Sequence, residues 1–332
     1  MAEEEVPGPR FLGFEGEDAE IMEGKTISSA LFTIYHQPVT VCRTLVQFGY
    51  NPLPLYTPFS RRYRFSRGFF SYARHLIHFY GVRSLWTGLE VALVRAMIYT
   101  GTQQFLFRSL EEYLPNFGGA LKIVANGPRT IWERCQLCFR VIIRNSLVVI
   151  PLDLIIYPFH VILNRKIAQI IVGDFGYDGI FDSASLVYNR EGLKGFFAGF
   201  HPFLLCTLME IVLTNSVILG IDIFFCHCLK KYCNYDEHNY IRDLGEHILN
   251  SLTSLITYPY NLVSTICSIA IFGEPPFNFK WGHKTYRCRD WVQLKHTLQQ
   301  SKVQYRGIAL LVRPYTGPVI PGLDGNLYEA HI

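Results

Sequence analysis

Five long apolar stretches constrain this chain more than any other feature. They run roughly 26–48, 88–110, 139–163, 203–229 and 247–272. Each is near the roughly 20 residues that a helix needs to cross a hydrocarbon core. Each also carries several polar groups, so five buried helices of a large soluble α protein is the competing reading. Against it, the clearest stretches exceed ordinary helix lengths and are broadly apolar around the helix. Composition agrees: the 332 residues are 49% hydrophobic and 17% charged, where globular proteins carry about a quarter charged residues. Nine cysteines are too sparse, and odd in number, for a small disulfide scaffold.

The connections differ in charge. Residues 1–25 form an acidic leader, expected to be disordered, with Glu3, Glu4, Glu5, Glu15, Glu17, Asp18, Glu20 and Glu23 against Arg10 alone before Lys25. That is the reverse of an Arg-rich transit peptide, and no secretory signal follows Met1. Residues 49–87 carry six arginines and no acid, and 273–306 carry seven bases and two acids. Basic and acidic connections that alternate are expected when successive stretches cross a membrane. After Gly307 only Ile308–Val312 is continuously apolar, and Arg313-Pro314 and a Gly/Pro-rich tail over 317–332 follow. Five residues cannot span a bilayer, and the prolines stop a helix.

An internal repeat is present. Tyr80-Gly81-x4-Trp86-Thr87-Gly88 matches Glu191-Gly192-x4-Phe197-Ala198-Gly199, and Tyr305-Arg306-Gly307 is a weaker third copy. Upstream of each lies a proline inside an apolar stretch: Pro38, Pro158 and Pro259. Proline in a membrane helix frees a carbonyl and bends the axis. The repeating unit is therefore a kinked spanning helix, a polar connection, a Gly-aromatic-x-Gly turn and a second spanning helix.

This arrangement resembles the mitochondrial carrier family, which has three repeats and six helices. The family's Pro-x-acid-x-x-base motif is degraded here: Pro38 to Arg43 keeps only the base, repeat two has His160 and Leu163 at the charged positions, and repeat three has Asn261 and Ser264. The gate of ion pairs cannot form, and the third repeat lacks its second helix. Those departures resemble the mitochondrial carrier homolog branch of the outer membrane. The likeness is carried by Gln37-Pro38, Val46-Gln47-Phe48-Gly49-Tyr50-Asn51-Pro52-Leu53-Pro54, Tyr157-Pro158-Phe159-His160, Gly195-Phe196-Phe197-Ala198-Gly199, Thr214-Asn215-Ser216 and Thr257-Tyr258-Pro259. It implies an all-α, multi-pass protein of the mitochondrial outer membrane with about five transmembrane helices, a degenerate three-repeat bundle whose sixth helix is missing. Its repeats are 26–130, 131–235 and a truncated 236–316. It also implies an insertase for tail-anchored and other α-helical clients, working through a laterally open hydrophilic groove, without covalent catalysis or cofactor. A link to apoptosis through a BH3-only partner is implied as well. The alternatives are a receptor or scaffold for such a partner, or a divergent solute carrier.

The residues supply the groove's candidates. Ser29, Thr33, His36, Thr40, Arg43 and Gln47 make one polar stripe on a helix. Asn250, Ser254, Thr257, Asn261, Ser264 and Ser268 repeat that spacing. Polar groups facing lipid are costly, so both stripes should face protein or water. Serine and threonine also serve as glue between helices, and Arg43 is placed to snorkel to the interface. Glu210 lies deep in an apolar run, where a carboxylate costs about 2.5–3.5 kcal/mol on insertion scales and needs a partner. In the family an acid lies near this point, where alignment puts Thr207. Asn215 follows on the same helix, and Asp153, His160 and Tyr258 complete the candidate client contacts. A lone histidine in an apolar helix is more often a packing residue than a ligand, and Arg95 is a weaker candidate. Cys135-x-x-Cys138 and Cys226-His227-Cys228 with Cys233 match no standard zinc module, so free thiols are expected and no metal. No phosphate loop, nucleophile elbow or metalloprotease motif is present, so neither an enzyme nor a nucleic-acid partner is indicated.

Overall fold

The structure is a computed structural model. It describes residues 19–56, 65–118, 130–172, 176–228, 235–269, 291–300, 303–308, 313–314, 319–322 and 326–329. Residues 1–18 of the acidic leader, and part of the C-terminal tail, lie outside the described residues; 19–25, expected to be disordered, are instead the first turns of a helix. The helices are α1 (Ala19–Phe48), α2 (Phe69–Tyr80), α3 (Leu89–Tyr113), α4 (Ile131–Val172), α5 (Ile180–Glu191), α6 (Phe200–Cys228), α7 (Tyr235–Ile269) and α8 (Trp291–Gln300). The described residues of the five apolar stretches fall almost entirely on long helices, and Pro38, Pro158 and Pro259 lie inside α1, α4 and α7.

Several helices run past the apolar stretches. The start of α4 is set by a capping box: Glu133 N–H donates to Thr130 Oγ1 at 3.2 Å, and Thr130 N–H donates back to Glu133 Oε2 at 3.1 Å. That reciprocal pair carries the helix eight residues upstream of the apolar run, from 139 to 131. Among the described residues, two stretches are long and apolar enough to cross a membrane, Ile131–Ile171 and Ile180–Ile221.

The turn between short and long helices is built the same way twice. Gly81 ends α2 at φ 79°, a 3-10 turn covers Val82–Trp86, and Gly88 at φ 76° leads into α3. Gly192 ends α5 at φ 68°, a 3-10 turn covers Gly192–Phe197, and Gly199 at φ 81° leads into α6. Beyond α8 a turn over 303–308 carries Gly307 at φ 84°. No helix follows it among the described residues.

The chain forms two compact units. One comprises Met1–Lys25, Tyr99–Leu154 and Leu204–Thr257; the other Thr26–Ile98, Ile155–Phe203 and Tyr258–Ile332. In the first, Leu137, Val148, Leu152, Cys206 and Ile218 are buried. The turn after α3 is held by α4: Arg140 donates to the Pro115 and Phe117 carbonyls at 2.6 and 3.2 Å, and Arg144 to that of Leu114 at 3.0 Å.

The second unit has a larger core, with Val41, Leu45 and Phe48 of α1 against Leu76, Val91, Ile162 and Ile167. A second cluster seats Leu294 and Leu298 of α8 on Leu262, Val263 and Cys267 of α7. An all-α expectation misses four short strands. β1 (Phe65–Ser66) pairs antiparallel with β2 (Arg313–Pro314), and β3 (Val319–Pro321) with β4 (Leu327–Glu329). Leu55 N–H also donates to Leu327 O at 2.7 Å. The Gly/Pro-rich tail is thus stitched to the first connection through backbone bonds, which need no apolar periodicity and so leave no sequence signature.

Candidate functional site

In the first unit, α4, α6 and α7 bring together a carboxyl cluster. Thr207 hydrogen-bonds the Asp153 carboxyl, and Glu210 is near enough to act on it electrostatically. Thr257 Oγ1 donates to Glu210 Oε1 at 2.7 Å, and Cys206 Sγ approaches the same oxygen at 3.7 Å. Glu210 therefore has the partner on a neighbouring helix that its depth demands. Asp153 is 6% exposed, and its Oδ2 is buried with no hydrogen-bond partner. Thr214 and Thr253 share a hydrogen bond at 3.1 Å one turn away. Asn215 is buried, its amide donating to Ile211 O of its own helix at 2.7 Å and its carbonyl accepting from Cys138 Sγ at 3.5 Å.

In the second unit the α1 stripe divides in two. Over its first half Leu31, Phe32 and Tyr35 are exposed, Tyr35 at 84%. Between them the polar groups bond along their own helix: Thr33 Oγ1 donates to Ser29 O at 2.8 Å and Thr40 Oγ1 to His36 O at 3.2 Å. These are local bonds that satisfy a hydroxyl without a second helix. Arg43 is half-buried, is close enough to act on His36 electrostatically, and has a buried Nε with no hydrogen-bond partner. Nε is thus withheld from water, unlike the head of a freely snorkelling arginine.

At its far end the stripe is used inside the protein. Gln47 Nε2 donates to Tyr258 Oη at 3.0 Å, Tyr258 Oη donates to Arg306 O at 2.6 Å, and Arg306 Nη2 donates to Gln47 O at 2.5 Å. The turn after α8 is therefore pinned to the end of α1 and to α7. Gln47 and Tyr258, expected as client contacts, are committed to that triangle.

The remaining candidates are also engaged. Ser264 is fully buried, its Oγ donating to Gly199 O at 2.9 Å beside Tyr157 Oη, which donates to Ala198 O at 2.7 Å. Asn261 is half-buried, with Thr265 Oγ1 donating to its carbonyl at 3.0 Å. His160 is a packing histidine: Arg95 Nη1 meets its Nδ1 at 3.1 Å, and Asn164 bridges its Nε2 and Ser268 Oγ at 3.1 and 2.8 Å. A guanidinium can only donate, so Nδ1 accepts and Nε2 carries the ring proton, which the Asn164 side chain accepts through its amide oxygen. The chain from Arg95 through His160 and Asn164 to Ser268 ties α3, α4 and α7.

Sequence reasoning missed the pair Arg165–Glu191, bonded at 2.5 and 2.9 Å. It also missed Lys166, which contacts Glu90 and donates to Asp178 O. The signal was present in the adjacent bases Arg165 and Lys166 at the end of an apolar run. Cys135 and Cys138 are free thiols, and no group of three metal-ligating side chains exists among the described residues. Side-chain positions of Asn250, Cys226, His227, Cys228 and Cys233 lie outside the described residues.

No family model matches the chain. Among curated proteins it is 29% identical over 296 residues to human "Mitochondrial carrier homolog 2", covering 85% of this chain and 90% of that protein. It is 24% identical over 339 residues to mouse "Mitochondrial carrier homolog 1", covering 92% and 80%. A Xenopus laevis "Mitochondrial adenyl nucleotide antiporter SLC25A24-A" is 27% identical over 211 residues, 60% of this chain and 38% of that one. Most of the chain's length is thus similar to proteins named as mitochondrial carrier homologs, with a shorter stretch similar to a solute carrier.

Proposed function

We propose that this protein is a multi-pass insertase of the mitochondrial outer membrane, which lowers the barrier for tail-anchored and other α-helical clients. A client must carry a short polar segment through hydrocarbon, and each unpaired polar group costs several kcal/mol there. Polar side chains held at membrane depth offset that cost while the segment passes, and the client's apolar helix then leaves for lipid on its own burial energy. No nucleotide, metal or covalent step is needed.

The observation that carries this reading is α1. Its first half exposes large apolar side chains beside half-buried Thr33, His36 and Thr40, and it leads to Arg43, whose Nε is unpaired. A helix with a lipid-compatible surface and an adjoining polar strip suits a segment exchanging between the two environments. The test is purified full-length protein in liposomes, with a tail-anchored client scored by protease protection. Arg43→Glu is expected to change insertion at least about tenfold, the scale of one charge-assisted hydrogen bond of roughly 1.5–3 kcal/mol, at equal reconstituted protein. Insertion equal to that of empty liposomes sinks the proposal. Exchange of a labelled nucleotide across the same liposomes would instead favour a solute carrier, as the likeness to an antiporter allows.

A further inference from the structure

We propose that the Asp153–Glu210 pair is a receptor for one cationic side chain, a lysine or arginine in the polar flank of a client's membrane segment. This rests on the insertase reading and names the chemistry that one part of it selects. Asp153 is the inner member, nine-tenths buried with Oδ2 unpartnered. Thr207 hydrogen-bonds its carboxyl. Glu210 is the outer member, half-buried and held by Thr257 through Oε1. Two carboxyls in a poorly hydrated place repel each other and attract a positive charge. No lysine, arginine or histidine is bonded to either of them among the described residues. A buried acceptor without a partner costs free energy in the resting protein, which a donor arriving from outside removes.

The donor set narrows the ligand. Only two carboxylates converge, and no group of three metal-ligating side chains exists among the described residues. Calcium and magnesium take six or more oxygens, and zinc ordinarily four ligands. A single ammonium or guanidinium, which donates several hydrogen bonds from one point, matches two carboxylates flanked by hydroxyls.

The test uses the full chain in lipid nanodiscs and two labelled peptides with one apolar helix, whose short polar flank carries either lysine or glutamine. The lysine peptide is expected to bind about tenfold more tightly, the range of a charge-assisted hydrogen bond. That ratio should fall to near one in Asp153→Asn/Glu210→Gln, a conservative pair that keeps size and hydrogen bonding. In Glu210→Lys the new ammonium pairs with the remaining Asp153 carboxylate, so the lysine preference should likewise fall to near one. A ratio that is near one in the unmodified protein, or that survives the double substitution, overturns the proposal. Liposome insertion of matching clients separates the two readings: a lysine preference in binding with no insertion of any client removes the insertase and leaves the cation receptor standing.

Discussion

Replacing Glu191 by alanine should destabilise the folded chain by about 3–5 kcal/mol, the usual effect of removing one partner from a buried ion pair. The Arg165 and Glu191 side chains are 4% and 1% exposed, and both guanidinium nitrogens bond the carboxylate, at 2.5 and 2.9 Å. A third bond runs from Arg165 Nε to Ser268 O at 3.0 Å. The alanine variant leaves a permanently charged guanidinium without its counter-ion at a site that excludes water. The apolar double variant Arg165→Met/Glu191→Leu removes both charges, so it should recover most of the loss, less about 1 kcal/mol for the orphaned Ser268 carbonyl. Denaturant unfolding of the purified protein in detergent, for the single and the double variant, checks the ordering. A double variant as unstable as the single one would mean that packing at the α4–α5 junction, not charge pairing, dominates.

Much of the helical frame was legible because it is written in local terms. Apolar runs of the right length gave the five long helices, and the glycines of the repeated motif gave the turns that precede α3 and α6. The acid at 210 was legible as a residue that needs a partner. Its partner was not, because Thr257 is 47 positions away and nothing in either segment marks the other. Asp153 became part of the same cluster for the same non-local reason. His160 illustrates the limit from the other side: its position in a degraded motif suggested a site, while Arg95 and Asn164 make it a packing residue. The tail strands were invisible because they are made by backbone groups, and backbone groups are the same in every sequence.

The turn glycines yield the second large effect, and its size depends on which glycine is changed. Gly192→Ala meets nothing within 4 Å, so it carries only the backbone cost of a side chain at φ 68°, ψ −162°, a region that essentially only glycine adopts, about 1–3 kcal/mol. Gly199→Ala also places a side chain at positive φ, 81°, and its Cβ would lie 2.8 Å from Ser264 O, 2.8 Å from Cys267 Cβ and 3.0 Å from Tyr157 Oη. Ser264 O belongs to the α7 backbone, so it cannot move aside as a side chain can, and overpacking of this kind adds about 1–3 kcal/mol. It would also push apart the hydroxyl groups of Tyr157 and Ser264, which satisfy the carbonyls of Ala198 and Gly199. Gly88→Ala should fall between the two, because its Cβ meets Leu163 Cδ1 at 2.7 Å, the flexible end of a side chain. Thermal unfolding of the three variants in one detergent is expected to rank them Gly199, Gly88, Gly192 from most to least destabilised. If Gly192→Ala proves the most damaging, close approach of α7 to the turn before α6 is not what holds the second unit together. Glycine at 199 would then be required by the backbone angle alone.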